Sequence, residues 1–314
     1  MFLIIKSFLI LLLFPTYKKI YLNVNGGIAL IFDICISIFA VFFSKKITLH
    51  HNSCSYLNKK SKLFNLLTKI TNNGKAIHVV NCESMKQKLL SSYGVKENKI
   101  NIISNISILS KRNRNNGYKE FKEKISKDNN FCIGFMGYLN REKGLDDFAE
   151  VLTKLQVTSN KNKFSFIGKA VGPTHDHKLI KNLRKNTSSF ITYKDAIYGD
   201  KRDSFFDNID ILLFPSKYFH EAEPLTVYHA LERGVPVIGT DVGCLNEMIA
   251  GYENSFTFNQ KNFIENAVAT IKKISNKNRN ELQKMKRMII NQYEDQMIRK
   301  EENFRLFLNN QING

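Results

Sequence analysis

The sequence predicts an α/β protein made of two Rossmann-like, doubly wound domains facing a cleft. Two series of short strands, apolar on both faces, alternate with helical stretches, which is the pattern of parallel sheets covered on each side. A basic and polar stretch separates the two series and marks a domain boundary. With 314 residues and 43% apolar side chains, the chain can fill two cores and is too apolar to stay disordered.

In chain order, the apolar residues 2–14 read as an opening helix. This stretch lacks a basic leading region and a small-residue cleavage site, so it is not read as a signal peptide. Residues 19–24, 28–43 and 46–49 then give strand, helix and strand. The helix carries Asp33 and falls short of the ~20 residues that span a bilayer, so it is buried in a soluble domain or touches a membrane surface. Residues 76–80, 85–93 and 99–103 repeat the strand, helix and strand unit. From Lys111 to Asn130 apolar residues give way to Lys, Arg, Asn and Gly. This places a first domain at 1–115, a linker at 116–130, a second domain at 131–295 and a closing helix at 296–314. In the second domain, strands at 132–136, 164–167, 190–193, 209–214 and 235–240 alternate with helices at 145–155, 177–185, 203–207 and 225–233.

Charge narrows the partners. Lys and Arg number 47 against 28 Asp and Glu, and the formal charge of +19 attracts nucleotides, nucleic acid and acidic lipid headgroups. There is no Trp, no nucleic-acid-binding motif and no strand that interleaves aromatic with basic residues, so nucleic acid is not an expected partner. The five scattered cysteines, Cys35, Cys54, Cys82, Cys132 and Cys244, form no CxxC pair and read as buried free thiols in a reducing compartment. His175-Asp176-His177 follows Gly172-Pro173 and reads as a solvated loop, so no metal site is expected.

Three constellations sit where ligands bind an open parallel sheet, at the carboxyl ends of strands. Gly137-Tyr138-Leu139-Asn140-Arg141-Glu142-Lys143-Gly144 links a strand to a helix. Gly137 permits close backbone approach, while Arg141 and Lys143 offer positive charge to a phosphate. The second constellation runs from Asp210 through Pro215-Ser216 and Glu221-Ala222-Glu223-Pro224 into a helix stopped by Gly234 and Pro236. The amides of Leu225 and Thr226 at that helix's positive end suit a diphosphate, and Glu221 can accept hydrogen bonds from sugar hydroxyls. Glu223 reads as an acid favoured by the helix dipole. The third, Thr240-Asp241-Val242-Gly243, supplies backbone donors at the next strand end. In the first domain, His50 and His51 close a strand, and His50 is placed to hydrogen-bond a hydroxyl or move a proton.

These segments together resemble the retaining glycosyltransferases of family 4, also called group 1, which have the GT-B fold. The likeness is carried by residues 135–144, 210–216 and 221–243, and more softly by 47–50, 79–84 and 102–105. It implies transfer of a sugar from a UDP- or GDP-sugar donor to a saccharide or lipid-linked acceptor, with retained anomeric configuration, no cofactor and no obligatory metal. In that frame Lys143 holds the donor diphosphate, Glu221 the donor sugar and His50 the reacting centre, and the first domain is the acceptor side. The chain departs from the family's pattern at four places. Tyr138 stands where Arg is usual, His229 stands where a second Glu contacts the ribose, and Glu223-Pro224 replace small residues before the helix. The first strand and Gly-rich loop of the family's N-terminal domain are not matched, so that domain is expected to be incomplete. The resemblance points to assembly of a surface polysaccharide or lipopolysaccharide. The chain is then expected in the cytoplasm, peripheral on the inner face of the plasma membrane. The alternatives are a non-catalytic binding subunit and, within the same fold, a nucleotide-sugar epimerase.

Overall fold

The computed structural model describes residues 18–72, 76–107, 130–158 and 165–313. The expected opening helix at 2–14, and the expected linker except for its last residue, lie outside the described residues. The chain divides into two compact units. One comprises residues up to 105 together with 219–223 and 303–314; the other comprises 106–218 and 224–302.

The first unit holds four parallel strands in sequential order: β1 (Lys19–Asn23), β2 (Lys46–His50), β3 (Ala76–Val80) and β4 (Ile100–Ile102). Parallel pairing requires crossovers, and these are helical: α1 (Leu30–Phe42) joins β1 to β2, and α4 (Glu83–Tyr93) leads from β3 towards β4. Two helices that the sequence reading left out, α2 (Ser55–Asn58) and α3 (Lys62–Asn72), lie between β2 and β3. In α3, Phe64, Leu67, Thr68 and Thr71 are buried at the spacing of a single helical face. At the start of α1, the wholly buried Asp33 accepts hydrogen bonds from the backbone N–H (2.7 Å) and the side-chain amide (2.8 Å) of Asn25. Burial raises its pKa, and the two Asn25 bonds oppose that rise. The opposite side of α1 is apolar and exposed, with Ile31, Phe32, Ile38 and Phe42 facing outward. Of the cysteines expected to be buried free thiols, Cys54 and Cys132 are both buried and free, while Cys35 is free but exposed on α1, whose sequence is apolar on both sides of the helix. Cys82 and Cys244 are buried but disulfide-bonded, which corrects the expectation.

The core of this unit contains a polar network. His51 pairs through Nδ1 with the Tyr56 hydroxyl (2.8 Å) and through Nε2 with His78 Nδ1 (3.0 Å). The two imidazoles stack, Tyr56 stacks on Phe64, and the Tyr93 hydroxyl donates to the Tyr56 carbonyl. Burial pushes the pKa of both histidines down; His51 falls well below its usual value, and His78, also repelled by Lys99, falls to about 4.

The second unit is a six-stranded parallel sheet with the order β10-β9-β8-β5-β6-β7. Its strands are β5 (Asn130–Met136), β6 (Ser165–Val171), β7 (Ile191–Lys194), β8 (Ile211–Phe214), β9 (Val237–Thr240) and β10 (Phe256–Phe258). The helices are α5 (Leu145–Thr158), α6 (His177–Thr187), α7 (Asp200–Asp207), α8 (Leu225–Glu232), α9 (Leu245–Ile249), α10 (Phe263–Ser275) and α11 (Arg279–Asn313), of which the last belongs to this unit as far as Glu302. The chain winds outward from β5 on one side and from β8 on the other, so the direction reverses between these neighbours. Leu145, Phe148, Val151, Leu152 and Leu155 put a continuous apolar stripe of α5 into the core. Gly234 follows α8 in the left-handed region (φ +69°), where an added Cβ would stand 2.7 Å from the Lys286 carbonyl oxygen. The Arg233 guanidinium forks onto Asp207, at 2.8 and 2.6 Å, and clamps α8 to α7. The last helix starts at Arg279 and runs unbroken past residue 296, where a separate closing helix was expected.

The neutral histidine core links stability to pH. Below its usual pKa of 6.5 the unfolded state binds a proton at His78 that the folded state refuses, so stability rises with pH across this window. The contribution is fully present above about pH 6.5 and is lost as pH falls towards 4, by about 3 kcal/mol for His78. Thermal unfolding should therefore show Tm falling from pH 7.5 to 4.5, with a shallower fall in His78→Gln. A flat Tm over this range contradicts the account.

Candidate functional site

The reversal point between β5 and β8 is where an open α/β sheet offers a crevice at its carboxyl edge. Two loops leave the sheet there, and the backbone locks them together. The Lys217 N–H donates to the Glu142 carbonyl (2.7 Å). Gly144 is left-handed (φ +79°), and a Cβ on it would fall 1.9 Å from the Pro215 carbonyl oxygen, so only glycine fits. Within the first loop the Asn140 side chain accepts from the Lys143 N–H (2.9 Å), tightening the turn. The Lys217 ammonium bridges Asp147 (2.8 Å) and Asp146 (3.3 Å) in the first turn of α5. Thr240, at the end of β9, donates to the Ser216 carbonyl (2.5 Å), tying in the third strand end.

Gly137 sits at the exit of β5 with open space where a side chain would be, and its N–H donates to the Val171 carbonyl (3.1 Å). Arg141 is exposed. Lys143 is half-buried, and its ammonium lies 4.3 Å from the centre of the Tyr218 ring, a cation–π contact that limits where the charge can sit. Leu225 and Thr226 open α8, whose first amides have no acceptor within the helix. Pro224 is the N-cap of α8 (φ −71°, ψ 116°). Its ring suits the helical φ, but its ψ keeps the backbone extended until Leu225. Gly243 is left-handed (φ +55°) in the turn before α9. His229 has its ring engaged, with Nε2 3.2 Å from Arg202 and Nδ1 3.7 Å from Glu232. Arg202, which the sequence reading did not single out, thus holds the position expected to take a ribose.

Beside Leu139, at the carboxyl edge of β5, β6 and β7, lies a cavity of about 730 Å³. Its lining includes Thr174, His177, Arg184 and Lys194. Arg184 is fixed there by donating to the Tyr193 carbonyl (3.1 Å).

His50 and Glu221 belong to the first unit. The segment bearing Glu221 is held through its carbonyls: the Cys54 N–H donates to the His220 carbonyl (3.3 Å) and the Asn58 side-chain amide to the Phe219 carbonyl (2.9 Å). Glu223 does not serve the helix dipole as expected. Its buried carboxylate accepts from the Ser104 hydroxyl (2.5 Å) and the Asn105 N–H (2.6 Å), anchoring the segment from its far end. Glu221 is nearly buried and close enough to Cys54 to contribute, behind burial, to a thiol pKa pushed up to about 11. His50, at the end of β2, is 3% exposed, with its pKa lowered by burial. Its Nδ1 lies 2.5 Å from the Tyr21 hydroxyl. That pairing joins residues on two different strands and leaves no local sequence signal.

The family model described as Glycosyl transferases group 1 matches residues 118–295, more than half of the chain. The chain belongs to the group 1 glycosyl transferases. A curated relative, an uncharacterised 41.2 kDa protein in the cps region of Klebsiella pneumoniae, is 27% identical over 157 residues. The match takes in 50% of this chain and 40% of that protein. Among solved structures, HepE of Anabaena in complex with UDP and glucose matches with a TM-score of 0.71 at 14% identity, covering 98% of this chain and 81% of that one. The pneumococcal O-GlcNAc transferase GtfA in complex with UDP and GlcNAc gives 0.63 at 14% identity, covering 86% and 54%. WaaG, a glycosyltransferase of lipopolysaccharide biosynthesis, gives 0.56 at 14% identity, covering 79% and 73%. With two parallel sheets and these neighbours, the fold is GT-B.

Among the described residues, no helix is long and apolar enough to cross a membrane, and no group of three His, Cys, Asp or Glu side chains is placed to hold a metal ion.

Proposed function

We propose that this group 1 glycosyl transferase moves a sugar from a nucleotide-sugar donor to a saccharide or lipid-linked acceptor, with retention, in surface polysaccharide or lipopolysaccharide assembly. The observation that carries the proposal is the reversal point of the second sheet. The open backbone of Gly137, the tethered Lys143 ammonium and the positive end of α8, each in the second unit, support a diphosphate site there. UDP is the favoured nucleotide, because solved relatives of this fold were captured with UDP. The 730 Å³ basic cavity is the place for the remainder of the nucleotide. The surface-polysaccharide assignment draws on the relative in a cps region and on WaaG.

In this reading, Lys143 and the α8 amides stabilise the charge that grows on the departing diphosphate, so catalysis needs no metal. Glu221 orients the donor sugar, and its segment is rigid because Glu223 and the carbonyl bonds to residues 54 and 58 fix both ends. A nucleotide-binding subunit without turnover is the second reading. It is favoured by the His229 ring being engaged by Arg202 rather than open to a ribose.

Calorimetric titration with UDP separates these readings from a chain with no donor site. Binding is expected, with Lys143→Ala weakening it about tenfold, the worth of one charge-assisted contact. Heat from neither UDP nor GDP would remove both readings. Turnover of UDP-glucose with a saccharide acceptor, giving a product of unchanged anomeric configuration by NMR, selects the enzyme.

We also propose that the exposed apolar side of α1, with Lys18 and Lys19 exposed at the start of β1, rests on an anionic membrane surface. The protein should float with vesicles containing anionic lipid at low salt, and Phe42→Asp should abolish flotation. Equal flotation of both proteins contradicts the proposal.

A further inference from the structure

The carboxyl edge of the first sheet carries a directional chain of side chains that no role assigned so far explains. Asn23 ends β1, His50 ends β2, and Asn81 follows β3 directly, so parallel pairing brings all three to one edge. The Asn52 amide donates to Asn23 Oδ1 (3.0 Å), and the Asn81 amide donates to Asn52 Oδ1 (3.4 Å). Each amide thus turns its N–H₂ towards the preceding residue and donates one of its two N–H bonds there. The last member, Asn81, is left with a buried Oδ1. Neither that oxygen nor His50 Nε2 reaches full hydrogen-bond geometry with any atom among the described residues, but Asn81 lies close enough to His50 for its side chain to favour a proton on the ring, against the effect of burial. Two lone pairs facing each other in a buried site repel, whereas an N–H facing a carbonyl oxygen attracts. Nε2 therefore carries the ring proton, which leaves Nδ1 as an acceptor. The Tyr21 hydroxyl, 2.5 Å from Nδ1, must then be the donor. Burial raises the Tyr21 pKa, which keeps that phenolic proton in place.

From this chain we infer that Tyr21 is a ligand-binding residue of the site: its proton is committed to His50 Nδ1, so its oxygen presents only lone pairs outward and accepts a hydrogen bond from a saccharide hydroxyl. The inference rests on the proposed sugar transfer. His50 is nearly buried, whereas Tyr21 is 58% exposed, so of the two it is Tyr21 that an incoming saccharide can touch. His50 then acts through Tyr21 by fixing the phenolic rotor, and Asn81 acts through His50 by fixing the tautomer. A hydroxyl whose hydrogen is locked in one direction discriminates between donors and acceptors. The site should accept a sugar hydroxyl and reject a methoxy or deoxy analogue at that position.

The test has two independent arms. Imidazole ¹⁵N shifts of the full chain should show His50 as a single Nε2–H tautomer, and Asn81→Leu should give a tautomer mixture. A wild-type Nδ1–H tautomer overturns the inference whether or not the protein turns over. In kinetics with UDP-glucose and a saccharide acceptor, Tyr21→Phe should raise KM for one of the two sugars about tenfold while the Kd for UDP alone stays unchanged. Unchanged KM values for both sugars in Tyr21→Phe overturn it. Absent UDP binding in the wild type would instead overturn the donor site, and the tautomer result would still stand.

Discussion

The geometry of the second unit depends on one contact: the loop leaving β5 lies directly on the loop leaving β8. A glycine at 144 is compulsory, because any Cβ would occupy the space of the Pro215 carbonyl, and the Lys217 N–H closes the contact onto Glu142. Through it the two strands on either side of the sheet's reversal present their loops as one surface. Lys143 precedes the compulsory glycine, so its position is inherited from the contact, and Tyr218, which its ammonium approaches, lies just beyond Lys217. Thr240 extends the same arrangement to β9 through Ser216. The surface proposed to bind phosphate is organised before any ligand arrives, which would reduce the ordering cost of binding.

The first unit solves a different problem. Parallel strands leave no short turn near their carboxyl ends, so functional groups there must be held by side chains. Three arrangements do this: the buried His51–His78–Tyr56 network under the sheet's edge, the amide chain ending at His50, and the carboxylate of Glu223 gripping residues 104 and 105. Each consists of polar groups that would be costly to bury alone and become specific when paired. His50 and Glu221, distant in sequence, belong to the same compact unit.

The sequence made the fold readable where apolar runs met punctuation. Gly234 and Pro236 marked the end of α8, and Gly94, left-handed at φ +64°, ends α4. Reading failed for short elements. Helix α2 has four residues and β10 three, too few for periodicity to show. Helix α3 was missed because two of its buried positions are Thr68 and Thr71, which bond their hydroxyls back to helix carbonyls and so look polar in sequence while packing as core. The placing of Gly137, Lys143 and Gly243 in loops at the carboxyl ends of strands was legible because each loop follows an apolar run directly. Glu223, Tyr21 and Asn81 were not, since each acts on a residue far away in sequence: Tyr21 on His50, 29 positions later, and Glu223 on Ser104, 119 positions earlier. Such pairings exist only once the sheet is assembled.

The central claim is that a nucleotide diphosphate binds where the second sheet reverses direction. Amide hydrogen exchange of the full chain with and without saturating UDP tests it most directly, because it reports the location of binding as well as its strength. Protection is expected to concentrate in residues 137–144 and in the first turn of α8, at Leu225 to Val227, with Lys143→Ala losing it at both. Protection confined to other regions, or none in these two, would contradict the account.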